Sequence, residues 1–440
     1  MTTTAHSHSR ALWLGAAALG LLALAGCGDS PTPTVIGGGG GLQTYDAFCK
    51  FSDLPERKRH TIVVVDEHSL AAIAEPQEMP VKNAEIQQRM RDYASAEIAL
   101  VGGVLEARER VSLMIAPIDG SAARLIFSGC VPGLSEADLA ALPTDRLKDF
   151  TSGGTKQQIE EGQGQFRKLS TLSLANAARE SKGDGTAPSV SIDEFGLLKS
   201  VADVAQANRS TGSVTRYVLL SNLSKVTLPG IETADDARKA GFEAGLASTY
   251  NFSGSDMLVA LTPGSDERLK QYFDARILAS GGRLVFWGDG RPVQPQLPPV
   301  EIRRFPGVVK LPLPEDPSQF VDREIKVRLA WDINGDLTQS FVQAGGRVVR
   351  NIPITGRALC TDDVCRITGD DGGFAQLWSD KPGGDPEFAS ELPFGGARDI
   401  ELTITGDKLT GTISDTNMSL NNKDVKGVDL SGTEDKNANW

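Results

Sequence analysis

The spacing of apolar residues changes once along the chain, and this change constrains the fold more than any other feature. Between residues 61 and 290, short apolar runs alternate with segments in which apolar residues recur every three or four positions. The run 61–65 (TIVVV) is typical of a buried parallel strand, and the spacing over 84–107 is typical of an amphipathic helix. Beyond residue 320 the period becomes two, as Ile325, Val327 and Leu329 alternate with other residues. The sequence therefore predicts an α/β unit followed by an all-β unit.

The α/β unit is expected to contain a mostly parallel sheet with helices on both faces, because strands and helices alternate. A hairpin around Asp119-Gly120 adds an antiparallel edge strand, and Thr233 is a candidate helix N-cap. Residues 131–190 are predicted only as helical pieces and a polar loop. The predicted strands are 61–65, 110–117, 122–127, 216–220, 256–261 and 283–287; the predicted helices are 84–107, 192–207, 233–246 and 266–279.

The boundaries of the β unit follow from composition. Residues 291–320 contain eight prolines and are predicted to be an extended connector. No helix of normal length fits residues 321–420, so we expect a smaller all-β sandwich or barrel there. Residues 421–440 are polar and are expected to form a loose tail. The α/β domain is expected to span residues 44–290.

The beginning of the chain carries a targeting pattern. Residues 11–26 are uncharged and apolar, but they are shorter than the roughly 20 residues that span a bilayer, and they lie where a signal peptide has its apolar region. The run ends in Leu24-Ala25-Gly26-Cys27, which resembles the lipobox of bacterial lipoproteins. The resemblance implies that residues 1–26 are removed and that Cys27 is lipidated. Because Gly28 follows the cysteine, the resemblance also favours an outer-membrane site facing the periplasm or the cell surface. The alternative is an ordinary secretory signal.

The expected partners follow from the linker and the charge. Residues 27–43 consist of the lipidated cysteine and a Gly- and Pro-rich segment, which is predicted to be a flexible tether. The formal net charge is −12, and it becomes −13 when Arg10 is removed with the signal peptide. Such a chain is poorly suited to nucleic acid or anionic lipid headgroups. We expect attachment to the membrane through the lipid and an envelope protein as partner.

Four cysteines remain after lipidation of Cys27. An even number in an oxidising compartment predicts two disulfides. Cys360 and Cys365 are close in sequence and are expected to pair across a loop, which leaves Cys49 with Cys130. The alternative is four free, buried cysteines.

The order strand, helix, hairpin, helical stretch, strand, helix, strand, helix, strand over residues 58–290 resembles a von Willebrand factor A (vWA) domain, a Rossmann-like fold. The family holds Mg²⁺ at an Asp-x-Ser-x-Ser motif, a loop threonine and a later aspartate. Asp66 matches the first position and Gly153-Gly154-Thr155 resembles the threonine loop, whereas Ser69 is out of register and Ser221-Asn222 stands where the later aspartate would be. The resemblance thus implies a degenerate metal site at Asp66 and Thr155. We expect weak or absent Mg²⁺ binding and no other cofactor, and we interpret the loops containing Asp66, Ser69, Thr155, Ser221 and Asn222 as a protein-binding surface.

Enzymatic alternatives have less support. The chain contains no Gly-x-Ser-x-Gly motif and no Gly-x-x-x-x-Gly-Lys-[Ser/Thr] phosphate loop. Asp66, Ser221-Asn222 and Asp289 occur in the order seen in haloacid dehalogenase-like phosphatases, but His68 stands where that family has its acid/base aspartate. The sequence therefore favours a non-enzymatic binding or scaffold protein over a metal-dependent adhesion protein and over a phosphatase that uses Asp66.

Overall fold

The computed structural model describes the following residues: 42–51, 54–67, 105–117, 122–145, 147–148, 153–180, 190–191, 197–199, 201–202, 213–221, 223, 226–260, 267–288, 297–312, 316, 318–344, 350–370, 378–380, 386–388, 399–414, 419–420, 423–424, 428–438 and 440. Cys27 and the predicted signal peptide, residues 1–26, lie outside them. So do the predicted helix at 84–107 apart from its last three residues, the turn at Asp119-Gly120, and most of the predicted helix at 192–207.

A seven-stranded mixed sheet forms the first part of the fold. Its order is β1-β4-β3-β2-β6-β8-β9. Strands β2, β3, β6, β8 and β9 are parallel to one another, whereas β4 is antiparallel to β3 and β1 is parallel to β4. The bounds are β1 (Gln43–Tyr45), β2 (Arg59–Asp66), β3 (Arg110–Ala116), β4 (Arg124–Cys130), β6 (Val214–Leu220), β8 (Asp256–Ala260) and β9 (Arg283–Gly288); β5 (Val190–Ser191) and β7 (Val226–Thr227) form a separate parallel pair.

The apolar runs of the sequence form the centre of this sheet. Strand β2 is buried along its whole length, as expected for a parallel strand that is covered on both faces. Alternate residues of β2 enter two different cores: Val63 and Val65 pack on one face, and Ile62 and Val64 pack on the other. The β-branched run in the sequence therefore marks the middle of the sheet.

The helices whose bounds lie in the described residues are α1 (Glu136–Ala141), α2 (Gly154–Glu180), α3 (Ala234–Ala247) and α4 (Glu267–Ala279), and residues 197–199 and 201–202 are also helical. The Thr233 side chain accepts a hydrogen bond from the Asp236 N–H, which confirms the predicted N-cap of α3. Helices α3 and α4 approach closely, because a Cβ on Gly241 would lie 2.2 Å from the Tyr272 carbonyl oxygen. No helix in the described ranges combines the length and the apolar character needed to span a membrane.

The predicted fold class, a vWA-like α/β sheet with helices on both faces and a smaller all-β domain behind it, is wrong. The molecule is sheet-rich, and strand residues exceed helical residues. The first sheet is mixed rather than doubly wound, and its described helices are too few to form two complete layers. The second part is a closed antiparallel barrel of eight strands, whereas the first sheet has seven, so it is not a minor addition to the fold. The alternation of periods located the strands, but it overestimated how regularly helices follow them.

The second part of the fold is a closed barrel of eight antiparallel strands in the order β10-β11-β12-β13-β14-β17-β18-β21. Inward-facing apolar side chains such as Phe305, Val327 and Ile367 fill its interior. The bounds are β10 (Glu301–Pro312), β11 (Phe320–Trp331), β12 (Ser340–Ala344), β13 (Arg350–Thr361), β14 (Val364–Asp370), β17 (Asp399–Thr405), β18 (Lys408–Ser414) and β21 (Val428–Thr433). Two short hairpins are inserted, β15 (Trp378–Asp380) with β16 (Pro386–Phe388), and β19 (Ser419–Leu420) with β20 (Lys423–Asp424).

Two barrel strands lie in segments for which the sequence predicted no strand. Strand β10 occupies part of the proline-rich segment 291–320, and β21 closes the barrel within the segment 421–440. Pro306 lies within β10, whose extended backbone is compatible with the fixed φ of proline. In β21, Val428 and Leu430 enter the core, while Asp429 between them is exposed. The proline content of the first segment and the polarity of the second thus predicted no strand, although the inward-facing positions of β10 and β21 are apolar.

The barrel contacts the edge of the mixed sheet at which the parallel strands begin, hereafter the amino edge. The Gln339 side chain donates a hydrogen bond to the Thr215 carbonyl oxygen at 2.6 Å, and Arg328 donates to the Ser253 carbonyl oxygen. Gly254 has a φ of +67° and packs so closely against Phe341 that a Cβ would lie 2.6 Å from its ring. The two parts therefore meet through buried polar and apolar contacts.

Two disulfides are present, as predicted. Cys49 is bonded to Cys130, and Cys360 is bonded to Cys365. The second pair links directly opposed residues of the β13–β14 hairpin. The alternative of four free cysteines is excluded.

Candidate functional site

Asp66 and Ser221 lie side by side at the opposite edge of the sheet, hereafter the carboxyl edge. Asp66 is the last residue of β2, and Ser221 directly follows β6. Val65 pairs with Leu220 in the parallel register, so the next residues are adjacent at a strand spacing of about 4.8 Å. Both side chains are buried. The structure therefore brings together two of the predicted residues.

The Ser221 side chain has a local structural partner. Its Oγ accepts a hydrogen bond from the Leu223 N–H at 3.1 Å. Leu223 has a φ of +48°, and this turn redirects the chain as it leaves the sheet. The Ser221 N–H donates to the Ala260 carbonyl oxygen, which fixes the turn to the neighbouring strand. Ser221 thus shapes the loop at the carboxyl edge.

Thr155 lies at the other end of the sheet. Helix α2 runs from the amino edge to the carboxyl edge. Gln163 donates a hydrogen bond to the Pro132 carbonyl oxygen, just beyond the end of β4 at the amino edge. Glu180, at the end of the helix, pairs with Arg124 at the beginning of β4, which lies at the carboxyl edge. Thr155 is two helical turns before Gln163, further from the carboxyl edge. Strand and helix rises place it on the order of 30 Å from Asp66. The metal-site pair implied by the vWA resemblance, Asp66 with Thr155, is not brought together.

The other predicted site residues, Ser69 and Asn222, lie outside the described residues. Within the described part of the chain, no group of three or more His, Cys, Asp or Glu side chains is arranged to hold a metal ion. Of the predicted ligand positions at the carboxyl edge, the structure describes Asp66 and Ser221. Mg²⁺ is normally bound through carboxylates with retained water or phosphate oxygens. The expectation of weak or absent Mg²⁺ binding remains a prediction.

Asp66 lies apart from the end of β9, the strand that precedes Asp289 in the sequence. Gly288, the last residue of β9, immediately precedes Asp289, which itself lies outside the described residues. Strand β9 is three strand spacings from β2 in the sheet order, which is roughly 14 Å. Asp66 and the end of β9 are thus not neighbours across the sheet, which weighs against a shared phosphate and metal site.

A buried ionic network, formed by Arg59, Thr61, Glu109 and Arg216, lies at the amino edge. Arg59 donates two hydrogen bonds to the Glu109 carboxylate, from Nε to Oε1 at 3.0 Å and from Nη2 to Oε2 at 2.8 Å. Arg216 Nη2 donates to Oε1 at 3.1 Å, and the Thr61 hydroxyl donates to the same oxygen. The three charged side chains are no more than 1% exposed. This network ties β2 and β6 to the residue preceding β3.

The ionic network does not have the properties of an acid/base site. Burial by itself raises the pKa of Glu109, but the charges of Arg59 and Arg216, with hydrogen bonds from Arg59 and Thr61, outweigh it and hold the pKa at about 2. A general acid or base works best with a pKa near the operating pH. Glu109 is therefore a permanently charged structural residue.

His60 is buried on the other face of β2. Its Nε2 is 2.9 Å from the Ser112 hydroxyl. Burial, together with the charge of Arg110, lowers the pKa of His60 to about 4, and the charge of Glu109 opposes this shift. The imidazole is thus neutral at physiological pH and acts as a hydrogen-bonding core residue.

The sequence contains a signal for this network outside the catalytic motifs. Arg59, Glu109 and Arg216 each lie at or next to the beginning of an apolar strand. In a parallel sheet such positions meet at one edge, and charges of opposite sign at adjacent strand starts can pair there. Catalytic motifs do not contain this signal, because open α/β sheets bind ligands at strand ends rather than at strand starts.

Comparison of the chain with protein families, with curated proteins and with solved structures found no match. The resemblances to bacterial lipoproteins and to vWA domains therefore rest on the residues quoted for them.

Proposed function

We propose that the chain is a membrane-anchored lipoprotein of the cell envelope that acts as a protein-binding or scaffold module and has no functional metal site. Lipid on Cys27 would attach it to a membrane, with the outer membrane favoured. The support for the anchor is the uncharged run 11–26, which ends directly at Leu24-Ala25-Gly26-Cys27. The support for a binding role is the character of the carboxyl edge.

The observation that carries the binding role is the difference between the two edges of the mixed sheet. The amino edge is occupied by the barrel, through Arg328 and Gln339, and by the network around Glu109. At the carboxyl edge, Asp66 ends β2 and Ser221 begins the turn that follows β6. Loops on a rigid sheet are common binding positions, and the strand ends of open α/β sheets bind ligands most often. A protein partner therefore has a prepared surface at the carboxyl edge.

Photo-crosslinking in cells tests this proposal at single positions. A photoreactive amino acid at Asn222 should give a covalent adduct of one defined mass with an envelope protein. The matched control carries it at Glu160, an exposed position in the amino-terminal half of α2, and should give no such adduct. Adducts only at barrel positions would contradict the assignment to the carboxyl edge. Turnover of a phosphate ester with Mg²⁺ that is lost in Asp66→Asn would instead support the phosphatase alternative.

A further inference from the structure

The segment 42–51 connects the proposed tether to the folded body, and it is held to the sheet mainly by side-chain contacts and a disulfide. It contains the three-residue strand β1, which pairs in parallel with β4. A strand this short at the edge of a sheet frays easily, because few backbone hydrogen bonds hold it. We call residues 42–51 the strap, because side-chain contacts and a disulfide fix them across β4 and α2.

The strap is packed as firmly as a core element. Tyr45 and Phe48 are almost fully buried and belong to the same core as Phe127 and Phe166. The Tyr45 ring meets Phe166 edge-on at 6.2 Å. Asp46 pairs with Arg110 at 3.1 Å. These contacts attach the strap to α2 through Phe166, to β4 through the core around Phe127, and to the first residue of β3 through Arg110.

Gly162 of α2 provides the space for the strap. A Cβ at this position would lie 2.5 Å from the Phe48 ring and 2.9 Å from the Tyr45 hydroxyl. Glycine in a helix normally costs about 1 kcal/mol relative to alanine. Gly164 lies two residues further on, on the exposed side of the same helix, and a Cβ there would meet nothing within 4 Å. The contrast identifies Gly162 as a glycine that the strap requires.

The disulfide determines where a force on the strap would act. Residues 50–58 connect the strap directly to β2, the central strand that ends at Asp66. Without a cross-link, pull on the chain before residue 42 would pass along this connection to β2. The Cys49–Cys130 bond comes first and leads instead to the end of β4, two strands away from β2. We propose that the strap is a force-bearing attachment that carries pull from the membrane tether into β4 and keeps it from β2 and the carboxyl edge.

This inference rests on the proposed function for the source of the force, but the strap itself can be tested without the lipid. Amide hydrogen exchange is measured on the full mature chain in its native form and in Cys49→Ser/Cys130→Ser. We expect exchange in residues 43–49 to rise tenfold or more, which corresponds to about 1.4 kcal/mol, while residues 60–66 of β2 change little. The variant Cys360→Ser/Cys365→Ser is the control and should leave both segments unchanged. Unchanged exchange in the strap, or an equal rise in β2, would overturn the proposal.

A second pair of variants leaves the disulfide intact and covers the case in which the serine variant fails to fold. Gly162→Ala should raise exchange in the strap, although alanine favours the helix. Gly164→Ala should not raise it. If the two variants behave alike, the packing argument is wrong.

The force itself is tested with handles fused to both ends of the mature chain. In the native protein, β2 should unfold at a higher force than in Cys49→Ser/Cys130→Ser. Equal forces would refute the load path even if the strap exchanges as predicted. None of these outcomes depends on lipidation, so they are distinguishable from failure of the proposed function.

Discussion

Glu109 is the residue at which the ionic network can be tested most sharply. Its carboxylate neutralises two arginines in a site from which water is excluded. Glu109→Gln should lower the free energy of unfolding by about 3–5 kcal/mol, because it removes the negative charge that pairs with both buried arginines. Urea denaturation provides the measurement. Glu180→Gln removes an equivalent group from an exposed pair with Arg124 and should cost no more than about 1 kcal/mol. Similar losses in the two variants would show that the network has no special role.

His60 should give the protein a pH-dependent stability. Its folded pKa of about 4 is below the ordinary 6.5, so the unfolded chain binds a proton between these values that the folded chain does not. Stability should therefore fall as the pH decreases from 6.5 towards 4, with His60 accounting for about 3 kcal/mol. Unfolding midpoints over this range, compared with those of His60→Gln, measure the contribution. An equally steep decline in the variant would assign it to other groups.

Glu109 contributes in a lower pH range. Its folded pKa of about 2 is below the ordinary 4.5, so its stabilisation is complete above about 4.5 and is lost as the pH falls towards 2.

The positions of single site residues were only partly predictable from the sequence. Asp66 and Ser221 could be placed together from the sequence, because adjacent parallel strands end at the same edge. Thr155 could not be placed, because its position depends on the direction of α2.

At the scale of elements, local signals located helix α3 closely. Thr233→Ala should lower the free energy of unfolding by about 1 kcal/mol, because the Asp236 N–H loses its acceptor. Thr233→Ser keeps the hydroxyl and should leave the free energy of unfolding nearly unchanged, because serine caps helices at least as well as threonine. Thermal unfolding of the native protein and of the two variants measures these differences in stability. Equal losses would show that the side-chain cap is not what stabilises the beginning of α3.

Other elements were not predictable from local pattern. Helix α2 contains Gly162 and Gly164 and many polar residues, so the sequence predicted only helical pieces in this region. Its glycine at 162 is explained by the contact with Phe48, which is 114 residues away in sequence. Strands β10 and β21 are likewise explained by pairing with each other to close the barrel. In each case the information lies in tertiary contacts rather than in the segment itself.

At the scale of the whole molecule, the contact between barrel and sheet can be isolated with matched glycines. Gly254 and Gly230 have similar φ values, +67° and +73°, but only Gly254 faces another residue, Phe341. Alanine at either position should cost about 1–2 kcal/mol for the left-handed backbone. Gly254→Ala should lower the free energy of unfolding by more than Gly230→Ala does, and it should also speed up amide hydrogen exchange at residues 339–342. Equal effects of the two substitutions would mean that this contact does not hold the two parts together.

The anchor is the part of the account on which the proposed function depends most, and metabolic labelling tests it directly. Cells that express the chain are grown with a palmitate analogue, and the label on the purified protein is compared between the native sequence and Cys27→Ala. We expect label on the native protein and none on the variant, because Cys27 is the only cysteine at the end of the apolar run. The variant should also keep residues 1–26. Equal label on both proteins, or none on the native protein, would contradict it.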